Sequence, residues 1–573
     1  MWKIKSILVS LLAIATLANC SDDNDNGPGG GGDEKNYDVA YMSISLSVPK
    51  GPQTRVSGEE PAVGTESDIN KLYVVTFGAD GKTLVKDDKT DNYVIILGST
   101  AIGTENGVTT PNNPIKVSTK THFLLVVANP GAVLAKRLED LADTDKYDDI
   151  IGLLKIPADP LETTNKYIVK EVVHDDGYTM INVGFFDESD PTPSNHAWKE
   201  NCLLDVSGNI VLASDHKTDA AAQAAAKSNP AKLEIERLAA KLEVTVASAL
   251  KVAPFKDGDD TQSLGQFAFE KWAIDHYNSL LFPYAVKSTT VSSHSASTPF
   301  YKSNFYTKDP NYDETGGVNG YLTDIVKNVV DANLVPQVDW TDKSSSFGSN
   351  YKYCTENTMA AEYQKFGAAT RLVLRAQYVP GPEAEGFVLG NDWFYLSNGA
   401  DSKTFATFDA LLAVYNPAKL IVEGGGGSAL EKRLVGACDK FYDQIRSRLT
   451  TDPGSFANLT QTILDGINTE NGGELSKVDG CLYWYQKSIN YYYYEIRHDN
   501  EADGHMQFGK YGVVRNNYYM LNLTKVNGQG TPWYPGGGPE DPDEEEDIDK
   551  LGAYLHFEIK VAPWIKWETD FEI

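Results

Sequence analysis

Cysteine and histidine are scarce in this chain, whose 573 residues include five cysteines and nine histidines. No two cysteines form a CxxC pair, and His174 and His498 have no second histidine at metal-ligand spacing, which gives a zinc or redox site little support. The HExxH, GxSxG and phosphate-loop motifs are also missing, and the glycine run at 424–427 precedes a predicted helix without the lysine of a phosphate loop. We therefore predict that the protein is not an enzyme and uses no metal and no cofactor.

Positive charge is also in short supply. The sequence has 51 lysine and arginine residues against 80 aspartate and glutamate residues, so its net charge is -29. Nucleic acid and anionic membrane surfaces repel a chain this acidic, which makes both of them poor partners. The same charge keeps an extracellular protein soluble. We predict that the protein has no nucleic-acid partner.

Long apolar runs are missing except at residues 7–17, which follow two lysines. This run is too short to span a bilayer as a mature helix, and its pattern is typical of a targeting segment. It ends at Leu17-Ala18-Asn19-Cys20, which resembles a lipobox. We predict that residues 1–20 are a lipoprotein signal peptide and that a lipid on Cys20 is the membrane contact of the precursor. The alternative is an ordinary secretory signal with an incidental cysteine.

The remaining cysteines are widely spaced, at Cys202, Cys354, Cys438 and Cys481. Exported proteins can form disulfides. Four scattered cysteines in a chain of this length are more often small buried hydrophobic residues. We therefore predict buried thiols and assign no pairing.

What the sequence does contain is a strand pattern rich in aromatic residues, which make up 11% of the chain and include 31 tyrosines. Tyrosine, threonine and valine suit half-buried strands better than helices. Strands are predicted at 71–77, 93–97, 115–128, 241–246, 370–378, 386–395 and 481–495. Helices are predicted at 134–154, 219–227 and 428–449. The fold is therefore predicted to be mainly β with a few short helices.

Shifts in composition predict how the chain is divided. Ser228-Asn229-Pro230 ends a helical stretch and a new strand pattern begins at Leu233, which places a domain boundary near 230. No repeat of 20–50 residues is present, and residues 255–365 keep no assigned role. The predicted division is a tether and removable first strand at 21–55, two β-sandwich domains at 56–230 and 231–534, an acidic linker at 535–552, and donor strands at 553–573.

The first predicted strand, at residues 37–48, has one apolar face. A turn-rich loop follows it and ends at Arg55, the only arginine in the first 136 residues. Because proteases cut in exposed loops, we predict cleavage between Arg55 and Val56. The alternative is an ordinary surface arginine. The apolar positions of this strand, which alternate with serines, are Met42, Ile44, Leu46 and Val48.

The C-terminal residues 555–573 carry a similar pattern. It is long for a strand, since strands usually have about 5–6 residues. Pro563 is predicted to divide it into two consecutive strands, because proline cannot donate a hydrogen bond to a sheet. The apolar positions on one face are Leu555, Phe557, Ile559, Val561, Ile565, Trp567, Phe571 and Ile573.

The chain before these strands, from 528 to 552, is rich in proline, glycine and acidic residues. Such a composition predicts an extended, mobile linker. Its carboxylates offer weak calcium ligands, but they lack the glycine and the spacing of an EF-hand, so a solvated linker is the preferred interpretation. Fully extended, residues 535–549 span at most about 50 Å.

The two strand segments that have one apolar face lie at opposite ends of the chain. This arrangement favours an exchange of strands between copies of the protein. An unpaired sheet edge is a template for a strand from another chain, as in donor-strand complementation. If the first strand is cut away, its place exposes apolar surface and unpaired backbone groups. The C-terminal strand of a neighbouring copy then satisfies both.

The aromatic runs at 483–485 and 491–494 admit two interpretations. Alternating aromatic residues on strands usually form core contacts and cross-strand pairs, which is the interpretation we prefer. The alternative is a surface on which a sugar ring stacks.

Short motifs are spread over the chain: MSISLS at 42–47 with Arg55 behind it, FLLVVAN at 123–129, ERLAAKL at 236–242, VRNNYYMLNL at 514–523, VAPW at 561–564 and DFEI at 570–573. In these motifs the sequence resembles the major fimbrial subunits (fimbrillins) of Bacteroidia, which build type V pili. Within that family it is most similar to the stalk subunit of short fimbriae. Residues from about 255 to 365 show no comparable match.

The resemblance implies transthyretin-like β-sandwich domains and an order of events. A lipidated precursor reaches the outer membrane, an arginine-specific protease cuts after Arg55, and the C-terminal strands of another copy fill the vacated place in a surface fimbria. The implied partners are other copies, accessory fimbrial subunits, and host or bacterial surface receptors. The alternatives are a tip adhesin, an anchor subunit, which would keep its lipid, and a glycan-binding surface lipoprotein, which would be mostly helical.

Overall fold

The structure is a computed structural model, and the residues it describes all belong to residues 38–573, the second of two units into which contacts divide the chain. The predicted signal peptide with Cys20 and the predicted tether lie outside the described residues. Those residues are 39–47, 60–61, 66–86, 92–105, 107–157, 166–183, 201–256, 259–286, 306–312, 325–326, 340–346, 349–397, 402–467, 482–499, 504–532, 544, 546–550 and 555–565.

Short strands dominate the first part of the chain. They are β1 (Val39–Met42), β2 (Ile44–Ser47), β3 (Glu60–Pro61), β4 (Lys71–Phe77), β5 (Leu84–Val85), β6 (Val94–Gly98), β7 (Ile102–Glu105), β8 (Val108–Pro111), β9 (Ile115–Ser118), β10 (Phe123–Ala128), β11 (Leu154–Lys155), β12 (Val173–His174), β13 (Gly177–Tyr178), β14 (Met180–Asn182), β15 (Leu204–Asp205), β16 (Val211–Leu212) and β17 (Ala231–Arg237).

The second part of the chain contains longer strands. They are β18 (Ala239–Val252), β19 (Phe255–Lys256), β20 (Asp259–Ser263), β21 (Gln266–Asp275), β22 (Tyr277–Asn278), β23 (Leu280–Leu281), β24 (Ile325–Val326), β25 (Thr341–Asp342), β26 (Tyr351–Thr355), β27 (Arg371–Val379), β28 (Trp393–Leu396), β29 (Lys403–Phe405), β30 (Leu482–Tyr485), β31 (Ile489–Glu495), β32 (Asn517–Val526) and β33 (Leu555–Ile565).

Helices lie between these strands. Within the described residues, no helix is both long enough and apolar enough to cross a membrane. The α-helices are α1 (Ala132–Glu139), α2 (Tyr147–Ile151), α3 (Lys166–Lys170), α4 (Asp219–Ser228), α5 (Phe408–Glu423), α6 (Ala429–Ile445) and α7 (Gln461–Asp465).

A ten-stranded sheet organises the N-terminal half, in the order β5-β4-β10-β14-β17-β2-β8-β7, with β6 also on β4 and β15 on β10. β10, in the middle of the sheet, is apolar throughout because both of its faces are covered, and its residues 124–128 have no exposed surface. Leu134 and Leu138 of α1 pack into the same core. β17 belongs to this sheet although it follows residue 230, where the sequence predicted a boundary.

Two sheets organise the C-terminal half. One has the order β26-β18-β32-β33-β3, and the other has the order β25-β21-β27-β31. Side chains of both enter one hydrophobic core, with Leu242 and Met520 from the first sheet and Trp272 and Leu374 from the second. The same core includes the ten-stranded sheet. The prediction of a mainly β protein is confirmed, while the division into two sandwich domains stays a prediction.

The two longest helices, α5 and α6, pack against each other and form a second core. In it, Phe408 and Phe441 meet Phe394 of β28 and Trp484 of β30. The sequence predicted α6, which begins at a capping box made by Ser428 and Glu431. It missed α5, which carries a proline in its interior, a residue that normally disfavours a helix.

Three predicted elements are divided in the structure. The predicted strand at 115–128 consists of β9 and β10, with a turn in which the N–H of Thr121 donates to the carbonyl of Ser118. In place of the predicted helix at 134–154 the structure has two shorter helices, α1, which begins two residues earlier, and α2. The predicted strand at 481–495 contains β30 and β31, which are separated because Lys487 and Ser488 adopt positive φ angles of 52° and 60°.

The cysteines follow the sequence-based interpretation where the structure describes them. Cys202, Cys354 and Cys438 are buried reduced thiols, which confirms that they serve as small hydrophobic residues. The sulfur of Cys202 lies 3.2 Å from the hydroxyl of Tyr147 in the first core. Cys481 lies outside the described residues.

Candidate strand-exchange site

The N-terminal strand segment, residues 39–47, crosses from one sheet to another. β1 lies between β16 and β9 in a three-stranded sheet, and β2 lies between β17 and β8 in the ten-stranded sheet. Ser43 separates the two strands, and its carbonyl accepts a 2.8 Å hydrogen bond from the N–H of Ala231. The segment therefore contributes to two sheets at once.

The apolar side chains of this segment that the sequence predicted to face the core are buried where the structure describes them. Met42, Ile44 and Leu46 have no exposed surface, as the alternation predicts, and Val48 lies outside the described residues. Ser43 is buried as well, which the alternation did not predict and which follows from its position between two sheets. Each buried apolar side chain contributes about 1.5–3 kcal/mol, so loss of the segment would leave an apolar slot.

β17 and β8 form the walls of that slot. β2 runs parallel to β17, with Ile44 opposite Ala231 and Leu46 opposite Leu233. On the other side, Leu46 lies opposite Thr109 of β8. Strands in a sheet satisfy the backbone groups of their neighbours, so loss of β2 leaves N–H and C=O groups unpaired on both walls.

Arg55 and Val56 lie outside the described residues, and the chain is described again at β3. β3 runs parallel to the end of β33, with Glu60 opposite Trp564. The chain that follows the predicted cut therefore pairs with the C-terminal strand.

The C-terminal strand β33 is paired with its own molecule. It runs antiparallel to β32, from Leu555 opposite Val526 to Pro563 opposite Asn517. The prediction that Pro563 divides this segment was wrong, because β33 continues through it to Ile565. Proline is tolerated in a strand at a sheet edge, and in the described part of the chain only β3 borders the other side of β33, at its last two residues.

Some of the predicted donor residues belong to β33 and others lie outside the described residues, and their role in a neighbouring subunit stays a prediction. β33 pairs with β32 at nine positions and with β3 at two, whereas β2 pairs with β17 at four positions and with β8 at one. Leu555, Phe557, Ile559, Val561 and Ile565 belong to β33, and Trp567, Phe571 and Ile573 lie outside the described residues.

The chain just before β33 is attached to the body of the molecule. Glu544 and residues 546–550, which we call the clamp segment, contact the loops at 364–367 and 504–511. Ile548 is buried in a small core that includes Met359 and Tyr511. The sequence predicted an extended, mobile linker here, whereas the described part of it is docked. It docks because an apolar side chain and carboxylates of this segment find matched partners on those loops.

Asp549 makes several of the polar contacts of the clamp segment. Its two oxygens accept hydrogen bonds from the Nζ of Lys510 at 2.8 and 2.9 Å. It also accepts from the hydroxyl of Tyr511 at 2.7 Å and from the N–H of Met506 at 2.6 Å. Burial acts to raise the pKa of Asp549, but these donors outweigh it, and the pKa lies below its ordinary value.

Two family models match the regions that contain these features. Residues 40–176 match the model of the major fimbrial subunit protein (FimA), and residues 483–570 match the C-terminal model of fimbrillin, the major fimbrial subunit protein type IV. The first region contains β2 and β8, and the second contains β32, the clamp segment and β33.

The chain belongs to the fimbrillin family. This fimbrillin is therefore a subunit of a cell-surface fimbria, where it assembles with copies of itself and with accessory fimbrial proteins. That membership confirms the resemblance seen in the sequence motifs.

Three solved structures resemble this fimbrillin. The fimbrilin of Porphyromonas gingivalis W83 is 13% identical over 92% of this chain and 98% of its own, with a TM-score of 0.37. The tip fimbrial protein Mfa3 of Porphyromonas gingivalis, with a C-terminal truncation, is 7% identical over 92% and 100%, with a TM-score of 0.29. A fimbrial assembly protein of Parabacteroides distasonis is 13% identical over 64% and 86%, with a TM-score of 0.25. A comparison with curated protein sequences gave no match.

The aromatic run at 483–485 of this fimbrillin forms cross-strand pairs. Trp393 of β28 stacks on Tyr485 of β30, with ring centroids 4.0 Å apart. Phe394 stacks against Trp484 at 6.2 Å in the same strand pair. Tyr483 is also buried. The preferred interpretation of this run as core and cross-strand pairs is confirmed.

A group of buried charges was missed by the sequence analysis. Glu66 accepts a hydrogen bond of 2.9 Å from Lys241 and one of 2.6 Å from the hydroxyl of Tyr353. Arg237 donates to the carbonyl of Glu66 at 2.8 Å, and burial lowers the pKa of Arg237 to about 10. The sequence contained one signal of these buried charges, because Lys241 and Glu243 lie in an otherwise largely apolar strand.

A second buried network joins the two halves of the chain. Arg515 donates to Glu356 at 2.7 Å, and Glu236 lies close enough to both to feel their charge. Burial raises the pKa of Glu236 and that of Asp309 to about 8. Within the described ranges, no three histidine, cysteine, aspartate or glutamate residues are placed to hold a metal ion.

Proposed function

We propose that this fimbrillin is a stalk subunit that polymerises by donor-strand exchange after proteolysis. An arginine-specific protease cuts between Arg55 and Val56, which removes the lipid on Cys20 together with β1 and β2. The C-terminal strand of another copy then enters the empty slot. The observation that carries the proposal is the insertion of residues 39–47 into two sheets, with Met42, Ile44 and Leu46 fully buried.

The slot supplies the driving force for assembly. A cut subunit without β2 exposes the apolar surface that Ile44 and Leu46 covered, together with the unpaired edges of β17 and β8. An incoming strand with apolar residues at every second position restores the buried surface and the backbone hydrogen bonds together. A cut subunit is therefore more stable with a second copy's strand in the slot than alone.

The position of β33 suits it for donation. Within the described residues it is paired with β32 along its length and with β3 at its last two residues. In the slot an incoming strand has a wall on each side. The exchange therefore replaces the pairing of β33 with β32 by pairing with β17, and it also covers the apolar surface that Ile44 and Leu46 leave, which favours the polymer.

The stalk role rests on two arguments. An anchor subunit must keep its lipid, and a cut after Arg55 removes it. A tip adhesin needs room for a separate ligand-binding domain, for which residues 255–365 were the candidate region. The described parts of that region instead contribute β21, β25 and β26 to the sheets of the body. Adhesion to host or bacterial receptors is then a property of the whole fimbria.

Arg55→Lys tests the cut, because it keeps the positive charge and removes the arginine that the protease requires. Mass spectrometry of wild-type surface material should find Val56 at the N-terminus of subunits in high-mass polymer. The variant should keep Cys20 with its lipid together with residues 21–55 and stay monomeric. Arg446→Lys, at an exposed site, is the matched control and should polymerise normally. Normal polymer from Arg55→Lys would overturn the proteolytic trigger.

Deletion of residues 552–573 tests the donor separately from the cut. The shortened chain should reach the surface and be cut after Arg55, but it should remain monomeric. Its slot should accept the C-terminal strand of a wild-type subunit when the two are mixed. High-mass polymer made of the shortened chain alone would overturn donation by this strand.

A further inference from the structure

A short backbone ladder holds the clamp segment on its own subunit. The N–H of Gly367 donates to the carbonyl of Glu544 at 2.9 Å, and the N–H of Phe366 donates to the carbonyl of Glu546 at 3.0 Å. The close approach requires glycine, since a Cβ at Gly367 would lie 2.6 Å from the Cβ of Glu544. The ladder is therefore built for close contact and is not an incidental approach of a loop.

Side chains reinforce the ladder. Asp547 forms an ion pair with Lys365, and Asp549 forms one with Lys510, whose side chain is also largely buried. Ile548 between them is 5% exposed. Charge-assisted hydrogen bonds in a partly buried site are stronger than neutral ones at a surface, so the segment is held by more than its backbone.

These contacts are separate from those of β33. The partners of the clamp segment lie in the loops at 364–367 and 504–511, whereas β33 pairs with β32 and β3. Release of β33 from β32 therefore removes none of the clamp contacts described above. We infer that the clamp segment stays closed on the donor subunit throughout strand exchange, so that the donated strand leaves while Asp549 remains in place. This inference rests on the proposed function.

A closed clamp shortens the reach of the donated strand. Six residue steps separate Asp549 from Leu555, and they span at most about 20 Å. If residues 535–549 were also released and fully extended, they would add a span of up to about 50 Å. The acceptor slot of the next subunit must then begin within about 20 Å of the donor's Asp549. Neighbouring subunits therefore meet in direct contact rather than through a loose tether.

Two engineered disulfides test the inference in the full-length chain. Lys365 and Asp547 are partners in an antiparallel bridge, so Lys365→Cys with Asp547→Cys locks the clamp. Asn522 and Glu558 are partners between β32 and β33, so Asn522→Cys with Glu558→Cys locks the strand. Opposed residues of antiparallel strands lie about 4.5–5.5 Å apart, within the range of a disulfide. Each variant is cut after Arg55, and polymer is measured before and after reduction.

We expect the oxidised clamp-locked subunit to polymerise as fast and as far as its reduced form. The oxidised strand-locked subunit should give no polymer until it is reduced. If the clamp-locked subunit polymerises only after reduction, the clamp must open and the inference is wrong. If the strand-locked subunit polymerises while oxidised, donation of β33 itself fails, and the proposed function falls with the inference.

Gly367→Ala gives a second test that needs no new disulfide. The added methyl pushes on Glu544 and loosens the clamp. Because a clamp that stays closed does not limit exchange, the variant should polymerise no faster than the wild type. If polymerisation became faster by about tenfold or more, the closed clamp would be raising the activation barrier. Opening of the clamp would then be a step of assembly. Gly208→Ala, at an open position with nothing within 4 Å, is the control.

Discussion

The carboxylate of Glu66 lies 2.9 Å from the ammonium nitrogen of Lys241, and both side chains are almost fully buried. The hydroxyl of Tyr353 donates to the same carboxylate at 2.6 Å. The rings of Tyr351 and Tyr518 lie with their centroids 4.0 and 4.5 Å from the ammonium group. Glu66 lies after the proposed cut and is therefore fixed to β18 by these contacts. The new N-terminal part of the cut chain thus stays attached to the body of the molecule.

Lys241→Met should lower the free energy of unfolding of the uncut chain by about 3–5 kcal/mol, because it leaves the carboxylate of Glu66 buried without its charge partner. Urea unfolding followed by tyrosine and tryptophan fluorescence measures the change. Lys136→Met is the control, since the ion pair of Lys136 with Asp140 is exposed and its loss should cost less than about 1 kcal/mol. Equal effects of the two substitutions would contradict the prediction.

Leu46 and Leu233 lie opposite each other in β2 and β17, and both are buried. Leu46→Ala and Leu233→Ala should each destabilise the uncut chain by about 2–5 kcal/mol, through lost burial and an added cavity. The cut removes Leu46, so Leu46→Ala should leave the melting temperature of the polymer unchanged, whereas Leu233→Ala should lower it. Calorimetry on both forms measures this. If Leu46→Ala weakens the polymer as well, β2 is still present in it.

Local periodicity predicted the elements that depend on neighbouring residues alone. The prediction at 71–77 has the bounds of β4, and the capping box at Ser428 marked the start of α6. The alternation around Ile44 also predicted its burial, because a side-chain period of two fixes which face of a strand is apolar. Both ends of the proposed exchange were therefore visible as patterns in the sequence.

Local periodicity could not predict contacts between residues that are far apart in the sequence. Periodicity says which face is apolar but not which strand lies beside it, so the change of sheet at Ser43 was not predicted. The pair of Asp549 and Lys510 joins an acidic segment to a loop whose fold depends on the rest of the body. In α5, contacts of Phe408 and Leu411 with the second core outweigh the local cost of its proline.

Glu236 should make the protein less stable as the pH rises. Burial raises its pKa to about 8 from an ordinary 4.5. Between these values the folded chain keeps a proton that the unfolded chain has lost, so the free energy of unfolding falls with rising pH, by at most about 1.4 kcal/mol per pH unit. Glu236→Gln should remove this contribution, and Asp309, whose pKa is also raised to about 8, should keep its own.

Urea unfolding between pH 5 and 8 checks the effect of Glu236→Gln. The stability of the variant should decline less with pH than that of the wild type, and the gap between the two should be widest near pH 8. Glu383→Gln, on an exposed turn, is the control and should follow the wild type. Parallel curves for Glu236→Gln and the wild type would mean that Glu236 is ionised in the folded chain at neutral pH.

Asp549 should make the clamp sensitive to acid. Its pKa lies below the ordinary 3.8 in the folded chain, so the stabilisation that it provides is complete above that value and is lost as the pH falls through the lowered one. The clamp should hold at neutral pH and open only in strong acid. Asp549→Asn should weaken it at neutral pH, because the substitution removes the negative charge that pairs with Lys510.

Amide hydrogen exchange at Phe366 and Gly367 reports on the clamp, since both N–H groups donate to its carbonyls. A hydrogen bond to a charged group contributes about 1.5–3 kcal/mol, so Asp549→Asn should speed exchange at these two amides by about tenfold or more at neutral pH. Asp443→Asn, in an exposed ion pair with Arg446, is the control. Unchanged protection in Asp549→Asn would mean that the backbone ladder and Ile548 hold the clamp without this ion pair.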